Sequence, residues 1–112
     1  MIGESYIIHE NHDEEYYKAE LKYDYDKEND ILFIYSTDYD YNVSIELNND
    51  IIVDINNDNE FIGVEYLNAT GVFNLDKKDF KEIKKINITQ TQKEPYLEFI
   101  ITLETDDERR VL

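Results

Sequence analysis

The run Asp54-x-Asn56-x-Asp58-Asn59-Glu60, followed by Glu65, places side-chain oxygens at the first, third, fifth and twelfth positions of one frame. Alternating oxygens closed by a distal carboxylate are how a calcium-binding EF-hand loop wraps a hard cation. The sixth position, usually Gly, is Asn59, a residue that also tolerates the left-handed backbone. The flanks point elsewhere. An EF-hand loop joins two helices, whereas Ile51 to Ile55 and Phe61 to Leu67 read as strands. The same run reads as an Asn-rich hairpin turn with Glu65 exposed on the strand that follows. Calcium held by Asp54, Asn56, Asp58 and Glu65 is the one cofactor the sequence suggests.

A second acidic cluster, Asp24, Asp26, Glu28 and Asp30, puts carboxylates at alternate positions. On an extended chain these can share a divalent cation. They can also form a solvated turn in which Asp30 hydrogen-bonds the turn backbone. His9 and His12 lie among Glu10, Asp13 and Glu14, but without the His-Glu-x-x-His spacing that puts two imidazoles on one helix face. Catalytic constellations are sparse. There is no Cys, three Gly residues are too few for a phosphate-cradling loop, and no Ser lies near a His in a recognisable motif. A glycoside hydrolase needs a sugar cleft around its carboxylate pair, and such clefts come from larger folds. The chain reads as non-enzymatic.

The elements that must position these residues follow from periodicity. Ala19, Leu21, Tyr23 and Tyr25 alternate with Glu20, Lys22 and Asp24, the period-two signature of a half-buried strand. Ile31 to Tyr35 is a continuous apolar run. Val43, Ile45 and Leu47 alternate with Ser44 and Glu46, and Ile51, Val53 and Ile55 form the next strand. Asn- and Asp-rich turns separate them, because these residues tolerate left-handed angles. The series predicts an antiparallel meander. Asp76 then caps an expected α-helix, with Asp79 as a capping-box partner and Leu75 and Phe80 as a hydrophobic staple. Strands are expected from Ile86 to Thr91 and from Tyr96 to Glu104, with a short edge strand at 108–112. Tyr6 to Ile8 is a short candidate strand within a poorly defined segment, 1–18. The expected fold is one α+β domain over residues 1–112. A curved antiparallel meander (19–72) packs on one α-helix, and two or three further strands follow in the helix-containing part (73–112).

Charge then limits the partners. The chain of 112 residues carries a net charge of −16. Residues 1–72 hold 18 Asp/Glu against Lys18, Lys22 and Lys27, a net of −15, while residues 73–112 are nearly neutral. Such a segment repels nucleic acid and anionic membranes and attracts basic surfaces and divalent cations. Bulky Ile, Tyr, Phe and Leu set it apart from a disordered acidic tail. The lack of Cys and of a signal peptide or membrane-spanning run points to the cytoplasm.

Tyr25-Asp26-x-x-x-Asp30-x-Leu32-Phe33-Ile34 resembles the opening of a small prokaryotic family, the domain of unknown function family 2283. Its second block resembles Glu46-Leu47, Ile51-Ile52-Val53-Asp54-Ile55 and Ile62-Gly63-Val64-Glu65-Tyr66-Leu67-x-Ala69-Thr70. The likeness covers residues 22–71. It departs at Phe33, where Tyr is usual, at Asn59, where a turn Gly is usual, and at Thr70, where Ser is usual. Residues beyond it look like the extension of longer, often archaeal, members. The resemblance implies a small β-rich α+β fold and carries over no active site. Some members are encoded beside small basic toxin-like proteins, which implies an antitoxin role.

Charge and resemblance converge on a non-catalytic interaction protein that inhibits a basic, nucleic-acid-binding partner, as an antitoxin or a nucleic-acid mimic. Carboxylates on a rigid sheet can occupy a groove meant for phosphates, and Tyr supplies contact area at low entropy cost. The residues expected to dock are Asp24, Asp26, Glu28, Asp30, Asp38, Tyr39, Asp40 and Tyr41. The chain itself is expected to be a monomer or a homodimer, the latter a structural alternative alongside the calcium-binding module.

Overall fold

In the computed structural model, period-two segments become strands of one nine-stranded sheet. The structure describes residues 3–10, 16–37, 43–93, 96–105 and 109–111, with side chains over 21–37, 43–89 and 100–105. The strands are β1 (Gly3–Glu10), β2 (Tyr16–Asp26), β3 (Ile31–Ser36), β4 (Val43–Asn48), β5 (Ile51–Ile55), β6 (Phe61–Tyr66), β7 (Lys85–Lys93), β8 (Tyr96–Glu104) and β9 (Arg109–Val111). Their spatial order is β4-β5-β6-β3-β2-β1-β7-β8-β9. Every pairing is antiparallel except β1 with β7, which runs parallel through Ile8↔Ile88. The sheet is thus mostly antiparallel, with few helical residues.

Within residues 19–72 the topology departs from a simple meander at one connection. β3 pairs with β6 rather than with β4 (Leu32↔Tyr66, Ile34↔Val64), so β4 lies at the sheet edge. Burial explains the choice. The apolar run of β3 gains two apolar neighbours, β2 and β6, whereas β4 offers apolar residues on one face only. The segment at the N-terminus becomes β1, paired on both sides within the sheet.

The expected α-helix after Asp76 is a five-residue 3-10 turn, Lys77–Lys81. Its capping residues behave as their types suggest, since the Asp76 N–H donates to the Asp79 carboxylate at 2.9 Å. It stops early because tertiary bonds claim its backbone. The Ile83 N–H donates to the Tyr23 hydroxyl at 3.0 Å, and that hydroxyl donates to the Lys81 carbonyl at 3.3 Å. Glu82 between them is extended. The α-helix of the fold, α1 (Ala69–Phe73), lies in a stretch with no helical periodicity. Among the described residues no helix is long and apolar enough to cross a membrane.

One sheet face and these short helical pieces enclose the core. Leu21 and Tyr23 of β2, Leu32 and Ile34 of β3 and Val64 and Tyr66 of β6 cluster with Phe73, Leu75, Phe80 and Ile83. Ile86, Ile88, Ile101 and Leu103 of β7 and β8 complete the cluster. Phe73 sits edge-on to Tyr66 at 4.7 Å and to Phe80 at 5.8 Å, and Phe80 meets Tyr25 at 4.8 Å. Such offset and edge contacts suit the quadrupoles of the rings.

Candidate protein-interaction site

The register of the first half of the sheet sorts the acidic residues by face. On the face away from the core, one row crosses five strands: Asp24, Phe33, Glu65, Ile52 and Glu46. Carboxylates occupy every second strand, with an apolar side chain between each pair. Neighbouring strands lie about 4.8 Å apart, so successive carboxylates of the row sit on the order of 10 Å apart. Asp24 and Glu46 are exposed, and Phe33, Glu65 and Ile52 are half-buried. The adjacent row is Lys22, Tyr35, Gly63, Asp54 and Ser44. Phe33 and Tyr35 stack at 4.8 Å, and the Tyr35 hydroxyl donates to Asp24 at 3.2 Å. Partial burial, with the Asp24 carboxylate as its acceptor, raises the Tyr35 phenol above its ordinary value.

The four clustered acids of the first turn have separate roles. Asp24 and Glu28 are exposed. Asp26 accepts hydrogen bonds from the Asn29 side chain (2.8 Å) and backbone N–H (3.1 Å), which hold its carboxyl below the ordinary value. Asp30 turns inward and ties the sheet to α1. Its φ is +55°, and its carboxylate accepts from the Tyr25 hydroxyl at 2.7 Å, the Thr70 hydroxyl at 2.6 Å and the Thr70 N–H at 3.2 Å. Its carbonyl accepts from the Ala69 N–H at 2.9 Å. Asn68, the local N-cap position, is left-handed and caps nothing with its side chain, so Asp30 satisfies the helix terminus from 40 residues away. Partial burial alone would raise the Asp30 carboxyl. The hydrogen bonds from Thr70 and Tyr25, with the Lys77 charge, outweigh it and hold the group below its ordinary value. Burial, reinforced by Asp30, pushes the Tyr25 phenol far upward. Asp38, Tyr39, Asp40 and Tyr41 lie outside the described residues.

The EF-hand-like run folds as the β5–β6 hairpin. Asn56 organises it: its Oδ1 accepts from the N–H groups of Asp58 (2.9 Å) and Glu60 (3.0 Å), and its Nδ2 donates to Glu60 at 3.0 Å. Asn59 takes the left-handed conformation (φ +61°). Asp54 lies buried in the sheet and accepts from the Ser44 hydroxyl, Asp58 is exposed at the turn, and Glu65 stands on β6. These residues do not converge, and among the described residues no group of three or more His, Asp or Glu is placed to hold a cation. His9 and His12 lie outside the described side chains. A shallow pocket of about 300 Å³ opens beside Tyr23, Asp24, Tyr25, Lys27, Phe80 and Lys81.

Sequence reasoning missed Phe33, Ile52 and Glu46 as members of one row with Asp24 and Glu65. The alternation within each strand fixes which residues share a face, but the row requires the β3–β6 pairing, which no local signal announces.

Residues 22–69 match the profile of a family described as Protein of unknown function (DUF2283). The chain is 46% identical over 63 residues to a Methanosarcina mazei protein named "Putative hypoxanthine phosphoribosyltransferase", covering 56% of this chain and 50% of that one. It is 39% identical over 59 residues to an uncharacterized protein of Methanocaldococcus jannaschii, covering 53% and 50%. The chain therefore spans about half the length of the curated relatives it matches. No solved structure matches it.

Proposed function

We infer from a chain whose residues 22–69 are a segment of the DUF2283 family, described only as of unknown function, that it is a non-catalytic acidic interaction protein. Its partner is a basic, nucleic-acid-binding protein of the cytoplasm, which it inhibits in the manner of an antitoxin or a nucleic-acid mimic. The observation that carries this reading is the row Asp24–Phe33–Glu65–Ile52–Glu46. Rigid strands hold its carboxylates at fixed spacing, and the apolar side chains between them supply contact area. Complementary charge speeds encounter and fixes register, and ordinary salt screens it over roughly 8–10 Å.

The phosphoribosyltransferase name belongs to the relative, of which half is matched. The three glycines of this chain do not form the phosphate-cradling loop such chemistry needs. A net charge of −16 repels nucleic acid as a direct ligand.

The test is capture from source-organism lysate on the immobilised chain, with elution by salt and identification of the eluate. A basic nucleic-acid-binding protein is expected, one whose binding to nucleic acid is blocked by the added chain. The triple variant Asp24→Lys, Glu46→Lys, Glu65→Lys must fold and fail to capture it. Equal capture by the variant overturns the assignment of the row, and inability to compete with nucleic acid overturns inhibition.

A further inference from the structure

The edge strand β4 is anomalous. Along the core-facing row Tyr23–Ile34–Val64–Val53–Ile45, exposure stays at 4%, 0%, 0% and 1% and then rises to 37% at Ile45. Val43 (42%) and Leu47 (56%) are exposed beside it. The apolar face of the sheet therefore continues one strand beyond its cover. Edge strands of natural proteins normally carry Lys, Pro or inward-pointing charge to prevent pairing. β4 reads Val-Ser-Ile-Glu-Leu-Asn and has neither Lys nor Pro. Its bulge falls at the far end, between Glu46 and Asn48.

We propose that β4 pairs antiparallel with β4 of a second copy of this chain, about a two-fold axis at Ile45. The sequence is most fully self-complementary in that register. With Ile45 opposite Ile45 of the second copy, Val43 faces Leu47 on the apolar side, and Ser44 faces Glu46 on the other. Residues directly opposite in an antiparallel pair share a face, so a one-residue slip would set Ile45 against Glu46 and turn the two apolar faces to opposite sides. A two-residue slip toward Leu47 would place the two Glu46 carboxylates directly opposite each other. Only the centred register pairs Val43, Ile45 and Leu47 all with one another and separates the acids. The contact is isologous and closes on itself, so it caps both edges rather than propagating. The two cores then become continuous through Ile45 and Val53, and the carboxylate row of one copy, ending at Glu46, runs into the Ser44 row of the other. This inference does not rest on the proposed function.

Analytical ultracentrifugation of the full chain tests it. A dimer is expected. Each copy carries a charge of −16, so added salt should tighten it, the opposite of salt-released binding to a basic partner. Ile45→Lys should give a folded monomer by sedimentation and circular dichroism. Ser44→Lys sets Lys opposite Glu46 and should hold or tighten the dimer, and Glu46→Lys sets Lys opposite Ser44 and should hold it. The combination S44K/E46K sets Lys opposite Lys twice and should weaken it, although it lowers the net charge further than either single change. A wild-type monomer at the highest soluble concentration overturns the proposal. So does a dimer unaffected by Ile45→Lys, or one that S44K/E46K leaves as tight as the single changes do.

Discussion

Replacing Asp30 tests how sheet and helix are joined. Asp30→Ala removes the acceptor of the Tyr25 hydroxyl, the Thr70 hydroxyl and the Thr70 N–H together. Hydrogen bonds to a charged group contribute roughly 1.5–3 kcal/mol each in isolation, and loss of a helix cap costs about 1 kcal/mol. The three share one partly solvated carboxylate and do not add fully, so their joint loss is about 3 kcal/mol. Ala at a φ of +55° adds about 1 kcal/mol of backbone strain. Asp30→Asn keeps one acceptor oxygen and the tolerance for that φ, and should cost about 1–2 kcal/mol. Urea unfolding measures both, and in thermal unfolding a chain of this size loses roughly 4–6 °C per kcal/mol. The folded pKa of Asp30 is depressed, so its ionised form stabilises the fold above the ordinary Asp value of about 4 and that stability is lost as pH falls through the folded value. The gap between wild type and Asp30→Asn should therefore be constant near neutrality and close on acidification below that window. Two variants of equal stability, or a gap independent of pH into strong acid, would refute the reasoning.

Tyr23→Phe removes the acceptor of the buried Ile83 N–H and should cost about 1–3 kcal/mol in urea unfolding, whereas Tyr35→Phe, whose partner Asp24 is exposed, should cost under about 0.5 kcal/mol; equal losses would contradict the assignment. In spectrophotometric alkaline titration, Tyr25 and Tyr66 should ionise only as the fold is lost, because burial raises both phenols; ten tyrosines titrating together in the folded protein would contradict this. Calcium should leave the melting temperature unchanged, since Asn56 is committed to its own turn and Asp54 to Ser44. A calcium-induced gain abolished by Asp54→Asn with Asp58→Asn would restore the EF-hand-like reading.

The strands were legible because their signal is local. Alternation in β2, β4 and β5 fixes face and period without reference to a partner, and the Asn-rich turns announce where chains reverse. Asp30, Asn59, Asn68 and Asn74 supply the left-handed residues that Gly often supplies elsewhere, so the scarcity of Gly did not hide the turns. The helical elements were illegible for a physical reason. The periodic stretch after Asp76 is diverted by the Tyr23 hydroxyl, and α1 is capped by a residue 40 positions earlier. Asp30 itself shows the limit for site reading. Among four clustered acids, nothing local distinguishes the one that turns inward from those left in solvent. The shared row of Asp24, Glu65 and Glu46 was hidden likewise, because it depends on the β3–β6 neighbourhood.

The parallel pairing of β1 with β7 joins residues 80 positions apart in the chain. Closing that span costs more entropy than any hairpin turn, and the contact forms only after the sequence between is made. At a synthesis rate of roughly 5–20 residues per second, β1 leaves the ribosome about 4–16 s before its parallel partner. During that interval β2 and β3 can pair with β1 and with each other, but the outer edge of β1 has no strand to meet. The nascent protein thus carries an open template whose closure is timed by translation. Slow or paused synthesis between β3 and β7 would lengthen that exposure, and a companion that holds the first strand would shorten its consequences.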